Sequence, residues 1–528
     1  MKRLKAILSL TLILSTTSCF LPTTVLADSP VPNRSNLEAK EEETYVNAAK
    51  KYLKDYFDLT IDSSYNVSTS KETYLDNPSV FIEFTKEKGD LLIYNSITLD
   101  YKTLEALSIY TEGGNYEGKP SISYEAGKSV AKDFLNKYFA KYKDKTIFDS
   151  SYEPYASTES PYEYYIFLMN SNGVPYEGNS ISIGVDKVDK KVKSFSIYWN
   201  DKVSLPDAKA SLSKEDAAKI YEKSLGTQLE YINDPQNPEL IKLAYTPLFP
   251  VTDLIDATNG SPINYHGDSS VSIFKPDDKK TKAILDKKST PLKLVSSNKE
   301  DAEKECVKIM EDFYSGKFAI KMSELDQDSN LMIDMERTDK KDNKTYSIYV
   351  NLKKSEISSI TRYLFDTDTP VPTQKSISFE DAYYKALDAA HKYYPKETAE
   401  VSLIQEIYPG ANDGISYNFT FHRLVNGIKY LGNSINISID GNTGETEYLG
   451  SYWDKNLSFP SSKASISKED AFKKIFKDVK MELKYVDTFS KNSSTPRPKL
   501  VYKPVFTPSF SSFIDANTGQ VIEQNKVY

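Results

Sequence analysis

What most constrains this chain is that it repeats itself. Tyr176 to Asp186 and Tyr430 to Asp440 are identical at seven of eleven positions. Tyr198 to Ala217 matches Tyr452 to Ala471 at 12 of 20, with the same offset of 254 and no gap. Unrelated segments share roughly one position in twenty, so this is a duplication. Asn172-Gly173 aligns with Asn426-Gly427, and Ile255-Asp256-Ala257 with Ile514-Asp515-Ala516. The sequence therefore specifies two halves, 42–265 and 299–528.

Each half divides again into three units, each a helical pattern followed by short alternating runs. Ala49, Leu53 and Phe57, and later Ala302, Cys306, Ile309 and Phe313, form one helical face at a 3.6 period. A second helix is expected after Ser123 and after Ser378, with Val130, Phe134 and Tyr138, and Tyr383, Leu387 and Ala390, facing inward. A third follows Ser213 and Ser467, each an N-cap with an acid three residues on. Asn172-Gly173 and Asn426-Gly427 suit two-residue hairpin turns, where both positions need positive φ. A lone helix cannot bury its stripe, so each is expected to pack on the antiparallel meander that follows it. The expected fold is α+β, a tandem duplicated array. Its modules are a1 (42–115), b1 (116–205), c1 (206–265), a2 (299–368), b2 (369–460) and c2 (461–528). Residues 266–298 join the halves, as a flexible linker or a charged helix around 279–287.

The start of the chain reads as an export signal. Lys2, Arg3 and Lys5 precede an apolar run, and Val25-Leu26-Ala27 is a signal-peptidase pattern, predicting cleavage after Ala27 and a polar leader over 28–41. The rival reading takes Thr17-Ser18-Cys19 as the end of a lipobox, with Cys19 acylated. No later stretch approaches the roughly 20 apolar residues of a membrane span. Without the first 27 residues the count is 64 Lys and Arg against 75 Asp and Glu, a net charge of −11. That argues against nucleic acid as a partner, since phosphates need a basic face. Three His and two Cys exclude a multi-ligand zinc cluster or a disulfide scaffold.

The run Ser467-Lys468-Glu469-Asp470-Ala471, a helix, and strands ending Ile514-Asp515-Ala516-Asn517-Thr518-Gly519 together resemble the PepSY module. Asp440-Gly441-Asn442-Thr443-Gly444 repeats that turn, Asp256 to Gly260 varies it, and the a modules lack its sequence. The duplicated arrangement behind an export signal is similar to the YcdB/YcdC repeat family of exported bacterial proteins. The resemblance implies a helix-on-sheet fold in an envelope or extracellular setting. Related modules occur in protease pro-segments and in spore-envelope proteins that accompany wall hydrolases. No catalytic residue is implied.

Tyr198-Trp199 and Tyr452-Trp453 contain the only tryptophans, at equivalent positions. As a binding site they would be paired aromatic platforms for a sugar ring or a peptide; as structure, each Trp would close a core between modules b and c. Asp256, Asp440 and Asp515, with Gly444 and Gly519, are expected to be turn residues, the Asp accepting backbone amides and the Gly taking positive φ. Cys306 falls on an apolar face, where a thiol is a small buried hydrophobe. Asp326, Asp328 and Asn330 match the first ligand positions of a calcium loop, but Leu331 stands where Gly is needed and Arg337 where Glu should close the site. Asp366–Asp368 is a second acid pair, read with the first as a solvated loop. His266, His391 and His422 share no metal-like spacing, and there is no Gly-rich phosphate loop, so no metal and no cofactor is expected.

The reading that follows is a non-catalytic exported protein that binds a protein partner across its modular surface, restraining or stabilising a secreted protease or wall hydrolase. The alternative is a cell-wall polysaccharide binder using the aromatic platforms.

Overall fold

The computed structural model describes residues 33–35, 39–74, 77–88, 91–111, 118–151, 160–207, 209–249, 254–265, 272–340, 344–364, 375–407, 416–477, 479–490, 493–505 and 512–522. The expected export signal, Cys19, His266 and the Asp366–Asp368 pair lie outside the described residues.

In the first half, β1 (Asn33–Ser35) and α1 (Ala39–Phe57) precede β2 (Asn66–Tyr74), β3 (Asn77–Lys88), β4 (Leu91–Asp100) and β5 (Ala106–Thr111). Next come α2 (Tyr124–Tyr138), β6 (Thr146–Phe148), β7 (Tyr162–Ser171), β8 (Val174–Asp186) and β9 (Lys191–Tyr198). The third unit has α3 (Lys214–Glu222), β10 (Gly226–Asp234), β11 (Asn237–Leu248), β12 (Leu254–Asp256) and β13 (Pro262–Ile263). Between the halves lie β14 (Ser272–Phe274) and α4 (Asp278–Leu285). The second half begins with α5 (Lys299–Tyr314), β15 (Phe318–Leu325), β16 (Asn330–Arg337), β17 (Lys344–Asn351) and β18 (Glu356–Leu364). It continues with α6 (Phe379–Tyr393), α7 (Pro395–Thr398), β19 (Gln405–Ile407), β20 (Ser416–Val425), β21 (Ile428–Asp440) and β22 (Thr446–Tyr452). It ends with α8 (Lys468–Ile475), β23 (Lys480–Ser490), β24 (Ser493–Val505), β25 (Phe513–Asp515) and β26 (Val521–Ile522).

Helix starts are set by short side chains. Ser123, Ser213, Ser378 and Ser467 each sit at an N-cap and accept the amide three residues on, at 3.0–3.2 Å. The hairpins at 172–173 and 426–427 have positive φ at both Asn and Gly, the geometry of a type I′ turn. In the a and b modules each helix lies on its own strands. One core joins α1 and α2 to strands β3 to β9. In the second half the a2 core and the b2 core meet where Phe313 stacks on Tyr393 at 4.9 Å.

The c modules depart from this plan. Helix α3 lies on β23 and β24, the hairpin of the other half, together with its own β12. Helix α8 lies on β10, β11 and its own β25. Hairpin β10–β11 extends the second half's sheet through parallel pairing with β21, while β23–β24 extends the first half's sheet through parallel pairing with β8. The edge strands return: β12 pairs with β24, and β25 with β11. The result is one 13-stranded and one 11-stranded sheet, each completed by a hairpin from the opposite half, and a single core shared by both c modules. The expectation that 206–265 and 461–528 each pack a helix on their own meander is therefore corrected. Their apolar stripes are buried as anticipated, but against the exchanged hairpin.

Of the two readings of the interhalf segment, the charged helix is the one that forms, as α4, and the described part of the segment packs on modules b2 and a2. Strand β14 pairs with β19, Ile284 of α4 enters the b2 core, and Lys280 and Lys287 pair with Glu380 and Asp388 on α6.

Candidate functional site

The duplicated motif Tyr-x-Gly-Asn-Ser-Ile lies at the seams where the halves join. Tyr176 is paired with Tyr485 in the parallel register of β8 and β23, and Tyr430 with Tyr231 in that of β21 and β10. The Tyr176 hydroxyl donates to Asp487 at 2.9 Å, and the Tyr430 hydroxyl to the equivalent Asn233 at 3.0 Å. A Cβ on Gly178 would strike the Tyr176 hydroxyl and the Asp487 carboxylate; one on Gly432 would strike Tyr430 and Asn233. Glycine is required at both positions by that close approach. Asn179 and Asn433, both fully buried, grip the residue after each tryptophan: their amides donate to the carbonyls of Asn200 and Asp454 at 3.0 Å.

Other tyrosines close the seam. Tyr485 donates to the Pro206 carbonyl at 2.8 Å and Tyr502 to Leu212 at 2.7 Å; reciprocally, Tyr231 donates to Pro460 and Tyr245 to Ile466. A buried hydroxyl without a partner is costly, and each of these rings finds its acceptor in the opposite half.

The two seams differ in charge. At β8–β23, buried Lys484 meets Asp149 at 3.1 Å, Glu482 at 3.4 Å and Glu177 at 3.5 Å, while Lys503 meets Glu177 at 2.9 Å. At the other seam the counterpart of Lys484 is Glu230, which accepts from Thr246 at 2.8 Å. The Lys484 ammonium also donates to Ser151 at 2.7 Å, a contact with the outline of a serine–lysine dyad. Burial works to depress the lysine's pKa, but the coulombic attraction of Asp149, Glu177 and Glu482 outweighs it and holds the pKa above its ordinary value. A lysine kept protonated is a hydrogen-bond donor to Ser151, not its base. Asp487 moves the opposite way from most carboxylates: burial, helped by nearby Glu177, raises its pKa against the opposing Tyr176 hydrogen bond.

Of the two roles open to the aromatic pairs, the tryptophans take the structural one. Tyr198 and Tyr452 end β9 and β22 on the exposed face, and the next residues, Trp199 and Trp453, turn onto the cores. Trp199 is half-buried at the edge of the a1–b1 core, 4.6 Å from the Tyr142 ring, with its indole N–H donating to Asp201 at 2.9 Å. Trp453 is half-buried against the b2 core, with the Arg423 guanidinium 5.3 Å over its ring. Each Trp thus sits on a b core, and in the second half Arg423 also lies over Phe459, a ring packed on the core of the c modules. Tyr198 and Tyr452 stay 52% and 63% exposed on the sheet face turned away from the helices. Tyr164 shares that face in the first half, Tyr349 and Tyr363 in the second. Between them stand Ser182, Ser196, Asn418, Thr420 and Asn436, on the strand faces opposite the core positions.

The turn residues behave alike in all six modules, including the three whose sequence hides them. The side chains of Asp100, Asp186, Asp256, Asn351, Asp440 and Asp515 each accept a backbone amide two or three residues on. The fifth residue of each turn has positive φ: Leu104, Lys190, Gly260, Ser355, Gly444 and Gly519. Sequence reading missed the a modules and b1 because it looked for Gly. Asp440 also pairs with buried Arg362 at 3.0 Å.

Asp326 caps its own loop, accepting the amides of Asp328 and Asn330 at 2.8 Å, and Leu331 is core. Among the described residues no group of three or more His, Cys, Asp or Glu is placed to hold a metal ion. His391 contacts the Lys287 carbonyl, and His422, far from it in sequence, is depressed in pKa by burial. Cys306 is fully buried, and burial, with Glu305 and Glu303 nearby, pushes its thiol up to about 12. No described helix is long and apolar enough to cross a membrane.

These features define a duplicated α+β protein of helix-on-meander modules, tied together by exchanged hairpins. Residues 41–199, spanning module a1 and most of b1, match the model of the YcdB, YcdC repeated domain, and the motif of b1 recurs in b2. Among solved structures, the Bacillus megaterium YpeB C-terminal domain is similar at 16% identity and a TM-score of 0.27, over 42% of this chain and 93% of that one. No curated protein matches the chain.

Proposed function

We propose that this is an exported, non-catalytic binding protein that holds a protein partner on the helix-free faces of its two sheets. The observation that carries the reading is the exposure of Tyr198 and Tyr452 at equivalent positions of the duplicated motif, amid Ser, Thr and Asn. Tyr provides large contact area at low entropic cost and small polar residues supply adaptable hydrogen bonds, the composition of protein-binding surfaces. The signal-like start of the sequence and the family match over 41–199 support an extracytoplasmic site of action. A secreted protease or wall hydrolase is the partner class.

The test captures secreted and wall fractions of the parent organism on residues 28–528, alongside the double variant Tyr198→Ala, Tyr452→Ala. One hydrolase enriched by the parent protein, altered in activity by it and lost by the variant at unchanged melting temperature is the expected result. Retention of wall glycan instead supports the polysaccharide reading, and equal recovery by both proteins removes the face from the argument.

A further inference from the structure

The hairpin exchange has the form of a homodimer interface folded back into one chain. We infer that the β8 and β21 edges, with helices α3 and α8, form a self-association surface that accepts the same hairpins from a second copy of the chain.

Three observations carry this. First, each exchanged hairpin packs on the helix of the other half, α3 lying on β23 and β24 and α8 on β10 and β11. Its bonds are made across a boundary that two chains can share equally well. Second, only Lys223–Leu225 separates α3 from β10, so the hairpin leaves its helix at once and turns outward rather than folding back. Third, donor and acceptor recur in both halves at matched positions: Tyr231 and Tyr485 on the hairpins, Tyr176 and Tyr430 on the receiving strands.

Seam chemistry fixes which copy meets which. Hairpin β23–β24 carries Lys484 and Lys503, and their partners Asp149 and Glu177 belong to the first half. Leu431 stands at the position of Glu177 in the second half. A β23–β24 hairpin set on β21 would bury two ammonium groups without those partners, which is strongly unfavourable. The dimer is therefore first half on second half, twice, closed and twofold symmetric. Its contacts are those of the monomer, so the balance between the two is set by the local concentration of the tethered half against that of free chains.

The experiment refolds residues 28–528 from denaturant at about 1 μM and about 1 mM, the upper value matching the roughly millimolar effective concentration of a tethered segment, and measures mass by light scattering after dilution to one concentration. Monomer is expected from the dilute sample. From the concentrated one, a species of twofold mass should appear and persist on dilution. Concentrating already folded protein should not produce it. Equal mixtures of light and isotopically heavy chains, refolded together, are then treated with a zero-length carbodiimide. The Glu177–Lys503 cross-link, first established on the monomer, should join light to heavy chains in the dimer. Monomer at both concentrations overturns the inference, and so does a dimer whose Glu177–Lys503 links stay within one isotope.

Discussion

Tyr176 and Asp487 are 311 residues apart in sequence and joined by a 2.9 Å hydrogen bond between opposite halves of the molecule. The same bond recurs, with an amide in place of the carboxylate, between Tyr430 and Asn233. One contact thus occurs twice with different electrostatics, which makes the halves separable by experiment.

Tyr176→Phe removes a donor from a buried carboxylate and should cost about 1–3 kcal/mol at neutral pH, whereas Tyr430→Phe, facing a neutral amide, should cost about 0.5–1.5. The two should also respond differently to acid. The Asp487 pKa is raised in the folded state, so its ionised form opposes folding above that value, and the Tyr176 hydroxyl relieves the opposition. The deficit of Tyr176→Phe should therefore shrink as pH falls through the native Asp487 value, and that of Tyr430→Phe should not. Urea unfolding across the acid range measures both.

Lys484→Met leaves Asp149, Glu177 and Glu482 without their shared cation and should lower stability by about 3–5 kcal/mol. Asp149→Asn tests the pH sense. Burial acts to raise the Asp149 carboxyl pKa, but Lys484 and the Ser151 hydrogen bonds hold it below the ordinary range. Its contribution is complete above about pH 4 and is lost as pH falls through the native value. The gap between the parent protein and Asp149→Asn should be largest near neutrality and close in acid. A constant gap would mean that the carboxylate's charge is immaterial.

Trp199→Ala and Trp453→Ala each remove a half-buried ring and should cost about 2–3 kcal/mol, less than the 3–5 of a fully buried aromatic. The melting temperature should drop for each variant singly. A variant that melts like the parent protein would argue that the ring is a surface group available to ligands.

Cys306 should resist a thiol reagent in the folded protein at pH 8 and react fully in denaturant. Its pKa near 12 leaves little thiolate, and the side chain is inaccessible. Prompt labelling under native conditions would contradict the packing of α5.

Local features were legible because their causes are local. Ser caps, the two Asn-Gly turns, and the buried positions Ala49, Leu53, Tyr383, Leu387 and Ala390 follow from spacing and side-chain chemistry. Inner faces were placed less well where an apolar residue sits beside the stripe: Met310 is core while Ile309 is partly exposed, and Ala131 and Leu135 are buried beside the anticipated Val130. The hairpin exchange left no local mark, since a strand's pattern records that one face is buried and not which helix buries it. The aromatic pairs were legible as equivalent positions but not as to which ring is buried, because the strand ends between Tyr and Trp and the packing beyond it is tertiary. The seam was nonetheless present in the duplicated letters: Tyr, Gly and Asn recur together because one reaches across, one makes room and one holds the following turn.

The exchange also sets an order on how the molecule comes into being. Strand β11 ends at Leu248, and β21, the strand its hairpin joins, begins at Ile428, so 180 residues must follow before the hairpin has a sheet to enter. The β8 edge waits longer still, for a hairpin that ends at Val505. A stop codon before β21 therefore leaves the β10–β11 hairpin without the strand it pairs with, and one before β23 leaves the β8 edge open. The first half of the duplication is complete as sequence but completes its sheet only with residues of the second.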